Sequence, residues 1–198
     1  MVIKRINKLY LVITCFVISL IFSVSVTFAG DIKWLIRAGI DSGGDDLVSV
    51  VYDDSTTDEI KAGELSHIAT GIEFSTMPSV NPCLRTEINI GWKFDSITAS
   101  NGSIKWGRYP LEILQFIKLE NCYVGAGLTY HINPTLEGSD FAEDLNADFD
   151  NALGYLLEAG YGITEGWSLG CRFTFIDYSV NNVDVSGNSV GIQSKIMF

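Results

Sequence analysis

From Ile32 to Phe198 the chain repeats one pattern, in segments of about ten residues. Every second side chain is aliphatic or aromatic, and the residues between are mostly Gly, Ser, Thr, Asn or charged. A period of two belongs to β-strands with two chemically different faces, and it excludes an amphipathic helix. In 121–132, Cys122, Val124, Ala126, Leu128, Tyr130 and Ile132 share one face, while Asn121, Tyr123, Gly125, Gly127, Thr129 and His131 share the other. In 85–95, Thr86, Ile88, Ile90, Trp92 and Phe94 oppose Arg85, Glu87, Asn89, Gly91, Lys93 and Asp95. Segments 32–40, 153–163, 167–175 and 189–198 divide the same way, and two less regular ones near 62–75 and 104–118 bring the count to eight.

The connections alternate in length. Long ones fall at about 41–60, 96–103, 133–151 and 177–188, and short ones at 76–83, 119–121 and 164–166. An even strand count with alternating loops predicts an all-β fold, an eight-stranded antiparallel up-and-down β-barrel. Periodicity does not say which face points inward, but size does. An eight-stranded interior is narrow. The apolar face carries Trp34, Trp92, Trp167, Tyr130, Tyr155, Tyr161, Phe94, Phe173, Phe175 and Phe198, rings that suit the outside of a barrel. The glycine-rich polar face suits a crowded lumen. An apolar outside makes the barrel transmembrane, since strands of roughly 9–11 residues cross a bilayer when tilted. The opposite orientation, apolar inside, is the alternative: a periplasmic lipocalin-like binder.

The first residues point to export. Lys4, Arg5 and Lys8 precede an uncharged stretch from Leu9 to Ala29, and small residues close it. This is the layout of a cleaved secretory signal peptide over 1–29, leaving the barrel as 30–198. An uncleaved anchor is the alternative, because the apolar run is long enough to span a bilayer. Cys15 lies inside the apolar core, which argues against lipidation. Cleavage takes the net charge from −11 to −14. So acidic a chain is a poor partner for nucleic acid. Hydrophobic residues at 47 % against 19 % charged exclude intrinsic disorder. Cys83, Cys122 and Cys171 remain, an odd number that argues against a disulfide framework. Cys83 and Cys122 sit two strands apart, about 10 Å by sheet spacing, which exceeds disulfide reach.

Stretches spanning nearly all of 30–198 carry a resemblance: GGDDLVSVVYDD at 43–54, IGWKFDSITASNGSIKW at 90–106, YPLEIL at 109–114, VGAGLTYHINP at 124–134, DFDNALGYLLEAGY at 148–161 and the terminal SVGIQSKIMF. The chain resembles the OmpA-like class of small eight-stranded outer-membrane barrels, and a group of bacterial outer-membrane β-barrel proteins largely without assigned activity. The resemblance implies fold and outer-membrane location and carries over no catalytic residue. The closing strand ending in Phe198 is similar to the signal read by the barrel assembly machinery. Outer-membrane lipid and lipopolysaccharide are then the surroundings of an expected monomer.

Placing the polar faces inside puts Lys33, Arg37, Arg85, Lys93, Arg108, Arg172 and Lys195 in the lumen with Glu73, Glu87, Glu112 and Glu158. A buried charge is expensive unless paired, so these residues are expected to form an ion-pair network. Such a network plugs the barrel; a narrow ion path is the alternative. Pro110, within a strand, is expected to mark a bulge or a strand start. The long connections collect fifteen of the twenty-four acidic residues, counting Asp41 and the last loop's Asp177 and Asp184, and 41–59 and 133–151 contain no Lys or Arg. A solvated outer surface explains this. The sharper expectation is divalent cation contact at Asp45, Asp46, Asp53, Asp54, Asp140, Asp144 and Asp148, since hard cations take carboxylate oxygens. No calcium-loop motif supports it.

Two histidines leave an enzyme reading to weigh. Some small outer-membrane barrels modify lipid A with a His/Ser or His/Asp/Ser site. His131 and His67 are expected to face the lumen, but the position two after His131 is Asn133, not Ser, and Ser66 points away from His67. The chain lacks H-E-x-x-H, G-x-S-x-G and the P-loop motif. No cofactor and no catalytic residue is expected.

Overall fold

The computed structural model describes residues 32–52, 55–76, 83–99, 102–140 and 142–198. The signal-peptide expectation for 1–29, and Asp53 and Asp54, lie outside the described residues.

Eight long strands close into one barrel. They are β1 (Ile32–Ser42), β4 (Leu65–Thr76), β5 (Cys83–Ala99), β6 (Gly102–Leu119), β7 (Cys122–Asp140), β9 (Ala152–Gly162), β10 (Trp167–Phe175) and β13 (Ser189–Met197). Each pairs antiparallel with its neighbour in chain order, and β13 returns to β1 with Ile36 opposite Ile196 and Ile40 opposite Ile192. Closure leaves no sheet edge to aggregate. The long loops at one end carry two hairpins, β2 (Asp46–Val51) with β3 (Thr57–Lys61), and β11 (Asp177–Val180) with β12 (Val183–Ser186). Asn181 and Asn182 turn the second with φ of 51° and 64°, as a two-residue hairpin requires. Between β7 and β9 run a 3-10 turn, Glu143–Leu145, and the short β8 (Ala147–Asp148). At the other end short turns join β6 to β7 and β9 to β10.

The outside is a belt of large apolar side chains. Trp34 is 64 % exposed, Ile192 62 % and Trp167 40 %, while Arg37 and Glu87 on the opposite faces are 0 % exposed. A water-soluble barrel would have to reverse that arrangement, so the belt faces lipid. The orientation read from the sequence holds on every strand. The lumen is not wholly polar. Leu114, Phe116 and Leu156 are buried inside it with Tyr123 against them. Phe116 and Tyr123 fit because Gly125 and Gly160 lie where a Cβ would strike their rings.

Three expectations need correction. Residues 96–99, 102–103 and 133–140 are not loop: β5, β6 and β7 rise well beyond the belt. Over that height the alternation keeps its period but inverts its chemistry. Ile97, Ile104, Trp106 and Leu136 are buried, while Ser96, Thr98, Lys105 and Glu137 are exposed, as they must be where the surroundings change from lipid to water. Second, Pro110 stays in register opposite His131. The bulge is on the partner strand. Gly107 pairs Thr135 and Tyr109 pairs Ile132, so Asn133 and Pro134 together face Arg108. Asn133 takes φ of 50°, a left-handed conformation that Asn tolerates better than most residues. The same bulge turns Asn133 outward, away from His131. Third, Asp41 belongs to the lumen and not to the outer loop; it is 5 % exposed.

Candidate functional site

Two regions carry polar chemistry: the lumen and the cap above it. In the lumen every second residue of each strand points inward, so charges far apart in sequence meet near the axis. Starting at the short-turn end, Arg85 contacts Glu73 at 3.1 Å, and Lys195 lies 3.8 Å from Glu73 and also bonds Glu87. Glu87 accepts from Arg37, whose second nitrogen reaches Glu158 at 2.6 Å and Gln193 at 2.9 Å. Glu158 accepts from Arg172 at 3.2 Å, and Arg172 grips Glu112 with two bonds of 2.7 and 3.2 Å. This chain joins seven strands. The ammonium of Lys195 also stands 4.9 Å from the ring centres of both Phe116 and Tyr123. A second cluster nearer the loop end holds Asp41 between Lys93 at 2.8 Å and His67 Nδ1 at 3.1 Å.

Two predicted lumenal cations stand apart. Lys33 is half-buried, sits in register with Glu73, and joins no ion pair among the described residues. Arg108 is fully buried; it donates to the Glu64 carbonyl at 2.7 Å and lies 5.1 Å over the Trp106 ring, with no carboxylate in ion-pair range among the described residues. Asp41 and Gln193 are the members that sequence reasoning missed. Asp41 continues the inward parity of Arg37 and Gly39, so the signal was present.

The space left between these groups is small. One cavity of about 10 Å³ lies beside His67, Lys93, Glu112, His131 and Arg172, and another of about 20 Å³ lies at the short-turn end beside Glu73, Arg85 and Tyr123. Each has room for roughly one water molecule. His131 accepts or donates a 2.6 Å bond with the Tyr178 hydroxyl, which reaches down from β11.

Above the lumen the loops close over a core of their own. Ile60, Ala62, Ile97, Ile104, Trp106, Leu136, Ala142, Phe149, Ala152, Ile176 and Tyr178 form one buried cluster. Trp106 is its centre, edge-on to Phe149 at 4.9 Å and to Tyr178 at 5.5 Å, with its indole N–H donating to the Ala62 carbonyl. Asp45 ties the two hairpins together: its amide donates to the Ser186 carbonyl at 2.7 Å and its carboxylate accepts from the Ser186 amide at 2.8 Å. Asp46 pairs with Lys61 at 2.7 Å. Hydrogen bonds to Asp46 and then Glu59 hold the Lys61 ammonium above its ordinary value. Asp140, Asp144 and Asp148 are exposed. Among the described residues no three His, Cys, Asp or Glu side chains come together in a way that could hold a metal ion. Cys122 and Cys171 are outward-facing thiols.

The fold has solved counterparts. The attachment invasion locus protein Ail of Yersinia pestis, in complex with the heparin analogue sucrose octasulfate, superposes with a TM-score of 0.54 at 9 % identity, covering 85 % of this chain and 99 % of that one. A second Ail structure gives 0.50 at 11 % identity over the same shares. Neisserial surface protein A gives 0.43 at 15 % identity, covering 84 % and 97 %. No family model and no curated protein matches the sequence. With its closed eight strands, charged lumen and aliphatic belt, the chain has the fold of the small outer-membrane β-barrels.

Proposed function

We propose that this protein is a monomeric surface protein of the bacterial outer membrane, with a structural or surface-interaction role played by its cap. In this reading residues 1–29 export the chain and are cleaved after Ala29, and the barrel assembly machinery reads the strand ending in Phe198. With both ends of the barrel strands at the short-turn side, the cap faces the cell exterior.

The cap's own hydrophobic core carries the proposal. Eleven buried residues hold three connections and the upper parts of β5, β6, β7 and β9 in one folded layer, so the cap presents a defined surface instead of loose loops. That surface is acidic, with Glu137, Asp140, Glu143, Asp144, Asp148 and Asp150 all exposed. The sucrose octasulfate held by Ail is a polyanion. An acidic cap selects the opposite: a cationic partner, or divalent cations that bridge Asp140, Asp144 and Asp148 to anionic lipopolysaccharide.

The lumen supports closure over conduction. Among the described residues, ion pairs join β1, β4, β5, β6, β9, β10 and β13, and the cavities beside them measure about 10 and 20 Å³. The enzyme alternative gains little. His67 and Asp41 are two of the three groups of a hydrolase triad, but the other ring nitrogen of His67 is buried without a partner among the described residues, beside a cavity that takes one water and no acyl chain.

The test is vesicle binding. Protein in phosphatidylcholine vesicles should retain fluorescent polylysine in a salt-sensitive way, and a D140N/E143Q/D144N/D148N variant should lose most of that retention. Equal retention by both, or preferential retention of heparin, would overturn the reading of the cap. Planar-bilayer recordings should show no conductance steps.

A further inference from the structure

On the outer wall of the barrel, where β5, β6 and β7 leave the apolar belt, there is a hollow of about 350 Å³. That is within the size range of small-molecule sites, roughly 300–1,000 Å³. Its floor is Gly107. A Cβ built there meets only Trp92 Nε1, at 3.9 Å, so this glycine leaves open space where another residue would fill it. The bulge at Asn133 and Pro134 widens the hollow on the β7 side, and Pro110 interrupts β5–β6 pairing just below.

Three outward-facing rows of the sheet cross the hollow. The lower row has Trp92 and Tyr109, half-exposed rings level with the top of the belt. The middle row is Phe94, Gly107 and Thr135, in register. The upper row is Ser96, Lys105 and Glu137, also in register and exposed. Trp92 and Phe94 stack face to face with ring centres 4.3 Å apart and planes at 29°, an apolar pair that lines the hollow. Lys105 and Glu137 face each other across β6 and β7 without an ion pair among the described residues, so both keep their polar ends for a ligand. The hollow therefore spans the level where the wall changes from lipid-facing to water-facing, and it offers rings below and hydrogen-bonding groups above.

We propose that this hollow seats the sugar headgroup of an outer-leaflet glycolipid. The proposal rests on the outer-membrane orientation given above. The apolar face of a pyranose ring packs against the Trp92–Phe94 stack, and its hydroxyls bond Lys105 and Glu137. The acyl chains run down over Ile90, Leu111 and Ile132, which are 56 %, 45 % and 38 % exposed. A bare phosphate is the poorer fit, because Glu137 and Asp95 line the same hollow as its one cation, Lys105.

The full chain in mild detergent is mixed with deep-rough lipopolysaccharide, with its acyl-free core oligosaccharide, or with phosphatidylglycerol, and bound species are counted by native mass spectrometry. Wild type should hold one lipopolysaccharide in preference to the other two. Gly107→Leu fills the hollow and should weaken binding at least tenfold; Trp92→Ala should do the same by breaking the ring stack. Phe173→Ala, on lipid-facing β10, should bind like wild type. The proposal is overturned if a Gly107→Leu or Trp92→Ala protein that still migrates as a folded barrel binds as tightly as wild type. It is equally overturned if phosphatidylglycerol competes evenly, or if the acyl-free sugar binds as well as the whole lipid. A chain that stays soluble without detergent would instead overturn the membrane orientation itself.

Discussion

Arg37 is the residue whose loss tests the lumen most sharply. Its guanidinium bonds Glu87, Glu158 and Gln193, and none of Arg37, Glu87 or Glu158 is reached by solvent. Arg37→Met keeps much of the volume and removes the charge. Glu87 keeps Lys195, and Glu158 keeps Arg172 at 3.2 Å, but each loses its bond to the central cation. Breaking a buried pair by removing one partner destabilises by about 3–5 kcal/mol, because a charge stays behind uncompensated. The remaining partners place this case at the lower end, about 3 kcal/mol. With a urea dependence of roughly 2 kcal/mol per M, the unfolding midpoint should fall by about 1.5 M. Tryptophan fluorescence of protein refolded into dodecylmaltoside micelles follows the transition, and unboiled gel mobility confirms the folded end-point. Arg37→Met/Glu158→Gln should recover part of the loss, since it removes one of the stranded carboxylates. Lys61→Met, which breaks the exposed contact with Asp46, should leave the midpoint unchanged. A midpoint for Arg37→Met within about 0.5 M of wild type would refute the reasoning, because it would mean that water reaches these groups and the lumen is wet.

Other outcomes follow from the same geometry. Gly125→Val should abolish refolding, seen as loss of the compact unboiled band, because the new Cβ meets the Phe116 ring. Asp45→Ala should leave the barrel intact but expose the cap to protease on whole cells, since it removes the carboxylate that accepts from the Ser186 amide, a bond worth about 1 kcal/mol, and leaves only the backbone bond between the hairpins. Phe198 is 71 % exposed, so Phe198→Ala should lower the amount assembled in cells while refolding from urea in detergent proceeds as in wild type. N-terminal sequencing of the protein from isolated outer membranes should begin at Gly30.

What the sequence disclosed, and what it hid, follows from one physical fact: alternation reveals two faces but not the medium each one meets. Within the belt the medium is constant, so parity alone placed Arg37, Glu87, Glu158 and Arg172 inside and Trp34, Ile192 and Phe173 outside. Above the belt the medium changes. Ile97, Ile104 and Trp106 hold the same inward parity as Lys93 and Arg108, but as apolar residues on the polar side they look like the end of a strand. On β7 the Asn133–Pro134 bulge shifts the parity as well, which concealed Leu136. The cap's core was therefore read as loop, and its acids were counted without the apolar layer that positions them. Arg108 is buried, and its support by Trp106 and the Glu64 carbonyl depends on a strand region beyond the bounds that the alternation suggests.

The four tryptophans allow the most direct test of that account. Trp92 and Trp167 face out from the belt at 48 % and 40 % exposure, whereas Trp106 sits in the cap core at 0 %. Variants retaining one of the three, refolded into vesicles of phosphatidylcholine with brominated acyl chains, report which indoles touch lipid. Strong quenching of Trp92 and Trp167 with none of Trp106 is the result predicted. Quenching of Trp106, or equal indifference of all three, would contradict a lipid-facing belt beneath a water-facing, apolar-cored cap.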